Sequence, residues 1–245
     1  MNQRKDHIFM NTNYNSQAEE INILQLSDSF FPTGMYTTSS GLEALFYSEN
    51  KTKTPDELRT LITVYLEHQI GPADCTALGV SYGCIETADI NELIKVDRTI
   101  YSMKLIEEVR NASVRSGTQL LRCVNYFLPG NEFITKFQEA IKVNKASGVY
   151  PVALAVASQP LGISKYNSGI MMLYTFVVSI IGAALRLGMI QHLDGQKLIH
   201  ELKPSLLATV AKNINRPLSS MWQFTPGIDI FQIAHELMPS KMFIT

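Results

Sequence analysis

The sequence predicts an all-α fold, a single compact bundle of about ten helices around a buried apolar central helix. Three observations predict it. Apolar residues recur at helical spacing along most of the 245 residues, and several of these runs open on a capping residue. The run Ile170–Leu185 carries no charge over 16 residues, which suits the centre of a large helical domain. Alternating apolar and polar runs joined by turn dipeptides are missing, so a sheet has little support.

Met1–Glu20 is polar, with Asn11, Asn13, Asn15 and Ser16 close together, and it lacks the apolar stretch of a signal peptide. It reads as a flexible N-terminal tail, residues 1–20, ahead of one domain at 21–245, and a cytoplasmic location is the default expectation. The first helix of the domain ends in the turn Pro32-Thr33-Gly34, and Gly41-Leu42-Glu43 starts the next. Thr54-Pro55-Asp56-Glu57 places a hydroxyl at an N-cap, Pro at the first helical position and Glu three residues after the cap. Leu58, Leu61, Ile62, Tyr65 and Leu66 follow at helical spacing, and that helix is expected to stop before Gly71-Pro72.

A long helical stretch runs from Asp89 or Asn91 to Phe127 and closes at Pro129-Gly130. Another runs from Asn131 to about Lys145, where Ser147-Gly148 ends it. Val149–Val156 is Ala-rich and opens on Tyr150-Pro151, which suits the first turn of a helix better than a strand. Ile170–Leu185, between Lys165 and Arg186, falls short of the about 20 apolar residues a membrane span needs, so it reads as a core helix. Asp194 is the expected cap of the last long helix, backed by Leu198, Ile199, Leu202, Leu206 and Leu207, and Pro204 should kink or split it.

Charge excludes some functions. With 21 Lys+Arg against 22 Asp+Glu and a net charge of −1, the chain has no electrostatic footprint for nucleic acid or an anionic membrane. Only 18% of residues are charged, which hints at apolar surface that meets a partner. Cys75, Cys84 and Cys123 stand at unrelated spacings and read as reduced thiols. Phosphate-loop, Rossmann, GxSxG and HExxH signatures are absent, so no catalytic residue is assigned. His235 with Met238 and Met242 offers either a soft metal patch or a packing role near a chain end; no metal ligand is assigned.

On the helix from Leu105 to Val124, the residues Leu105, Val109, Ser113, Leu120 and Val124 form one apolar stripe. Lys104, Glu108, Arg115 and Arg122 line another side, read as a solvated face. Arg110 falls at the apolar edge and needs either a carboxylate or a docking protein. Ser113 and Gly117, one turn apart, are small enough to let a neighbouring helix come close. Two segments look over-specified for a helical core. The hydroxyl-rich loop Thr37–Ser40 serves either as scaffolding or for recognition, and the apolar ending Met242-Phe243-Ile244 docks either on its own core or on a partner.

These two segments carry a resemblance. SDSFFPTGMYTTSSGLE is similar to the opening motif of the urease accessory protein UreF family, and HELMPSKMFIT resembles its closing motif. Glu108–Gly117, Tyr150–Ala153, Ala184–Gly188 and Asp194–Leu198 fit in order between them, so the likeness spans about Ile23 to Thr245. The resemblance implies a non-enzymatic all-α protein, a homodimer that binds UreD (also called UreH) and the GTPase UreG and acts on apo-urease. It implies that nickel is handled by the complex, with no cofactor held by this chain, and that GTP hydrolysis by UreG is coupled to nickel delivery.

Carried over by motif, Gly34, Tyr36, Gly41 and Glu43 belong to the opening loop, and Tyr174 matches an aromatic on a helix of the dimer contact. Arg110 and Arg115 in the central motif, with His235, Glu236 and Lys241 in the closing one, complete the implied partner-binding set. Lys241 stands where the family has Arg, which keeps the charge and loses the planar fork. The rival reading is an all-α enzyme with a buried small-molecule pocket lined by residues such as Tyr174 and Arg186.

Overall fold

The computed structural model describes residues 17–48 and 54–245. Among them no strand occurs, and the fold is a compact all-α assembly. Residues 17–27 form α1, so residues 17–20 are helical, and the remainder of the expected tail lies outside the described residues. A single 3-10 turn at Met35–Thr37 leads to α2 (Leu42–Tyr47). Helix α3 (Pro55–Tyr65) opens on the capping box read from sequence, with Thr54 Oγ1 accepting from the Glu57 amide at 3.2 Å.

The expected stop at Gly71-Pro72 does not occur. The chain runs on as a π-helical segment, Leu66–Cys75, directly into α4 (Thr76–Glu86). The wider turn carries Pro72, which has no amide to give, without ending the helix. A second departure lies further on: the stretch ending at Phe127 is two helices, α5 (Ile90–Met103), capped by Asp89, and α6 (Glu107–Phe127). The break falls at Lys104, whose ammonium turns inward onto Asp74 at 2.7 Å, so Lys104 is buried and not on the solvated face expected of it. Leu105, expected in the apolar stripe, lies in this break and is exposed.

Helix α7 (Glu132–Lys142) starts on the Asn131 cap, and α8 (Tyr150–Ser158) follows. Asp97 of α5 anchors the join, accepting from the amides of Gly148 and Val149 at 3.0 and 2.9 Å. Burial pushes the Asp97 carboxyl up while these amides pull it down.

All nine residues of α8 are buried, which places this short Ala-rich helix at the centre with α9 (Lys165–Arg186). Helix α9 packs on α2, α4, α8, the π segment and α10 (His192–Asn213). Helix α9 alone among the described residues is long and apolar enough to cross a membrane, and 67% of its apolar window is buried in the protein. Helix α10 begins on Gln191, with Asp194 reaching back to the Gln191 amide at 3.0 Å, so Asp194 sits three residues inside the helix and is not its cap. Pro204 does not split α10. It is exposed, so water can satisfy the carbonyl it orphans. Helix α11 (Pro226–Glu236) completes the element order.

Cys75 and Cys84 are buried in the core cluster and Cys123 is half-buried, all three as free thiols. Burial, helped by Asp74, pushes the Cys75 thiol up to about 12, and burial with Glu92 and Asp89 nearby pushes Cys84 up to about 11. Only the thiolate attacks a disulfide reagent. At neutral pH the native protein should therefore react through Cys123 alone, and the other two thiols should titrate only after unfolding.

Candidate functional site

The opening loop and the C-terminal segment, remote in sequence, are fastened to each other. Gly41 makes the turn into α2 at φ +90°, where a side chain is strained. A Cβ there would also meet the backbone nitrogen of Gln232 at 3.0 Å, because α11 crosses directly over it. That crossing sets Glu43, in the first turn of α2, against His235, in the last turn of α11. Glu43 is 2% exposed and His235 fully buried.

The imidazole lies between two carboxylates. His235 Nε2 is 2.9 Å from Glu43 Oε2, and Nδ1 is 2.6 Å from Glu108 Oε2. Lys241 Nζ donates to Glu108 Oε1 at 2.8 Å and to the Glu236 carbonyl at 3.1 Å. Glu43 also receives the amides of Met242 at 2.8 Å and Phe243 at 3.1 Å. Glu108 lies in the first turn of α6, where a negative charge favours the helix end, and His235 lies in the last turn of α11.

The fastening continues along the segment. Ile244 donates its amide to the Thr37 carbonyl at 2.9 Å, and Ser39 donates both its amide, at 2.8 Å, and its hydroxyl to the Thr245 carbonyl. Phe243 is buried beside Arg186, whose guanidinium lies 4.3 Å from the Phe243 ring and 4.1 Å from the Tyr36 ring. Arg186 also donates to the carbonyls of Tyr36 and Gly182. The segment thus docks on its own core, and Thr37–Ser40 act in this fastening.

The sequence-derived residues divide accordingly. Glu43, His235 and Lys241 converge, and Glu236 joins through its carbonyl while its side chain faces solvent. Gly34, at φ +81°, caps the 3-10 turn that presents Tyr36, and Tyr36 remains 55% exposed. Among the described residues Arg110 meets no carboxylate. Its Nη1 donates to the Lys104 carbonyl at 2.9 Å, and its guanidinium lies over Tyr101, so it closes the end of α5. Arg115 is exposed on α6, and Tyr174 is partly exposed on α9.

Two contributors have partners other than those the sequence suggests. Glu108 looked like part of a solvated face, and the packing of α11 on α6 leaves it half-buried against His235. Its place in a helix's first turn was the available signal. Arg186 has aromatic partners in place of an acidic one. Arg186→Ala is therefore expected to cost about 1–2 kcal/mol through lost stacking and hydrogen bonds. Lysine at this position should recover little of that, which thermal unfolding of both variants would check.

Both nitrogens of His235 face carboxylate oxygens, so neither is free in this arrangement to join Met238 and Met242 as a ligand. Among the described residues no group of three His, Cys, Asp or Glu side chains is arranged to hold a metal. A cavity of about 80 Å³ lies beneath the fastened segment, lined by Thr38, Ser40, Asp74, Lys104, Tyr150 and Thr245 among apolar neighbours. Neither Tyr174 nor Arg186 lines it, so the pocket imagined for an enzyme is not built from them.

Comparison with known proteins agrees with the motifs. The family model described as UreF matches residues 52–203. A urease accessory protein UreF of Trichodesmium erythraeum (strain IMS101) is 30% identical, covering 92% of this chain and 97% of its own. Urease accessory proteins UreF of Corynebacterium glutamicum (strain R) and Bacillus sp. (strain TB-90) are 28% and 26% identical, covering 91% and 92% of this chain and 96% and 98% of theirs. The ordered motifs, the all-α architecture and these matches over nearly the whole length lead to one conclusion: the chain belongs to the UreF family of urease accessory proteins.

Proposed function

We propose that this protein is a non-enzymatic scaffold for urease maturation in the cytoplasm. As a homodimer it binds UreD (UreH) and the GTPase UreG, regulates GTP hydrolysis by UreG, and helps pass nickel, as cargo, to apo-urease. The observation that carries this reading is an uncovered apolar face. Ile230 and Ile233 on α11 and Leu237 at its C-cap are exposed large hydrophobic side chains on the element that the Glu43–His235–Glu108 network holds in place, and Met242 in the closing segment is exposed too. Apolar surface of this kind, rimmed by polar groups, marks a protein-binding site. Rigid presentation lowers the ordering cost of binding.

The test is reconstitution with UreD, UreG, apo-urease, nickel, bicarbonate and GTP. Urease activity should develop only when this chain is present, and equal activation without it would end the proposal. Deleting the residues after Met238 should abolish co-purification with UreD. It should also lower the melting temperature of the isolated chain, because Phe243 is buried and Glu43 would lose two amide donors.

A further inference from the structure

We propose that Glu43, Glu108, His235 and Lys241 form a proton-operated clasp: residues 239–245 are held down while His235 carries a proton on each ring nitrogen, and are released when it loses one. The inference stands apart from the maturation role, because its readout lies in the isolated chain.

The argument starts from hydrogen-bond stoichiometry. A carboxylate oxygen only accepts, and His235 has one such oxygen 2.9 Å from Nε2 and another 2.6 Å from Nδ1. With both carboxyl groups ionised, both nitrogens must donate, which imidazolium does and neutral imidazole cannot. Charge balance agrees. With imidazolium, two cations (His235 and Lys241) meet two carboxylates; without it, a surplus negative charge remains around a fully buried ring.

The groups facing the ring come from each packed element: Glu43 from α2, Glu108 from α6 and Lys241 from the segment itself. On α11, the Glu236 side chain is exposed and Asp229 accepts from Thr225 at 3.1 Å.

Release is transmitted through Glu43. The carboxylate that faces the ring also holds the Met242 and Phe243 amides. A neutral ring turns one lone pair toward a carboxylate, and the repulsion is relieved only if Glu43 or Glu108 swings out to water. When Glu43 moves, both amides lose their acceptor and the segment loses its central anchor. Thr245 lines the cavity that the buried Lys104–Asp74 pair also lines, so lifting the segment opens that pair to solvent.

The experiment is amide hydrogen exchange on the full chain between about pH 5.5 and 8.5, expressed as protection factors so that intrinsic rates cancel. Protection of Met242, Phe243 and Ile244 should fall by about tenfold or more as pH rises, while α8 and α9 amides keep theirs. A flat profile for the three amides, or a fall shared with α8 and α9, overturns the clasp. His235→Gln should give low, pH-independent protection in the segment. Lys241→Met, at a more exposed position that folding should tolerate, removes the other cation and so favours the protonated ring. Its profile should move to higher pH, and an unmoved or lowered profile also overturns the proposal.

Discussion

In chemical denaturation, Glu43→Ala is expected to lower the unfolding free energy by about 3–5 kcal/mol. The carboxylate is buried and receives three donors, from His235, Met242 and Phe243. Truncation to alanine removes the acceptor but leaves the donors in place. Two main-chain amides and one nitrogen of a buried ring then lack partners unless the segment lifts into water. The cost therefore exceeds that of a surface ion pair, which is about 0–1 kcal/mol. Glu43→Gln keeps one carbonyl oxygen and should lose less. An unchanged denaturation midpoint for the alanine variant would mean that the C-terminal segment contributes nothing to stability.

The second large effect is steric. Gly117→Ala is expected to destabilise by about 2–3 kcal/mol, or roughly 5–10 °C in melting temperature. A Cβ at Gly117 would lie 2.2 Å from the Gly148 carbonyl oxygen and 2.9 Å from the Tyr150 nitrogen. Those are backbone atoms at the start of α8, pinned by Asp97 from one side and by Ser113 Oγ, which accepts from the Tyr150 amide at 3.1 Å, from the other. Neither side can give way cheaply. Gly182 on α9 is the control, since a Cβ there meets nothing within 4 Å. Gly182→Ala should be neutral or stabilise by up to about 1 kcal/mol, because alanine costs the helix less backbone entropy. Equal melting temperatures for the two variants would contradict the close approach of α6 to α8.

Where sequence and structure agree, the reason is local chemistry. The Thr54 box, the Asn131 cap and the close approach at Ser113 and Gly117 depend on a few neighbouring residues whose preferences are strong. Where they part, a long-range partner intervenes. Lys104 looked like a solvated side chain until Asp74, 30 residues earlier, drew it inward and broke the helix there. Glu108 has the same history with His235, 127 residues later. Pro72 misled for another reason: proline opposes an ordinary helical turn, and the segment answered by widening the turn.

The site was half legible. The residue types of the opening and closing motifs marked them as unusual, and Glu43, His235 and Lys241 were named from those motifs. That one carboxylate would hold both the ring and the backbone of the last residues could not be read from periodicity, since it follows from the crossing of α11 over Gly41.

The hydrogen bonds from Ser39 to Thr245 and from the Met242 amide to Glu43 join groups 206 and 199 residues apart. Closing so long a loop is entropically expensive until intervening helices have brought its ends near each other. This seam should therefore be sewn last during folding and be the first to fray, leaving a sturdy interior that matures earlier than the surface where residues 39–43 meet 242–245.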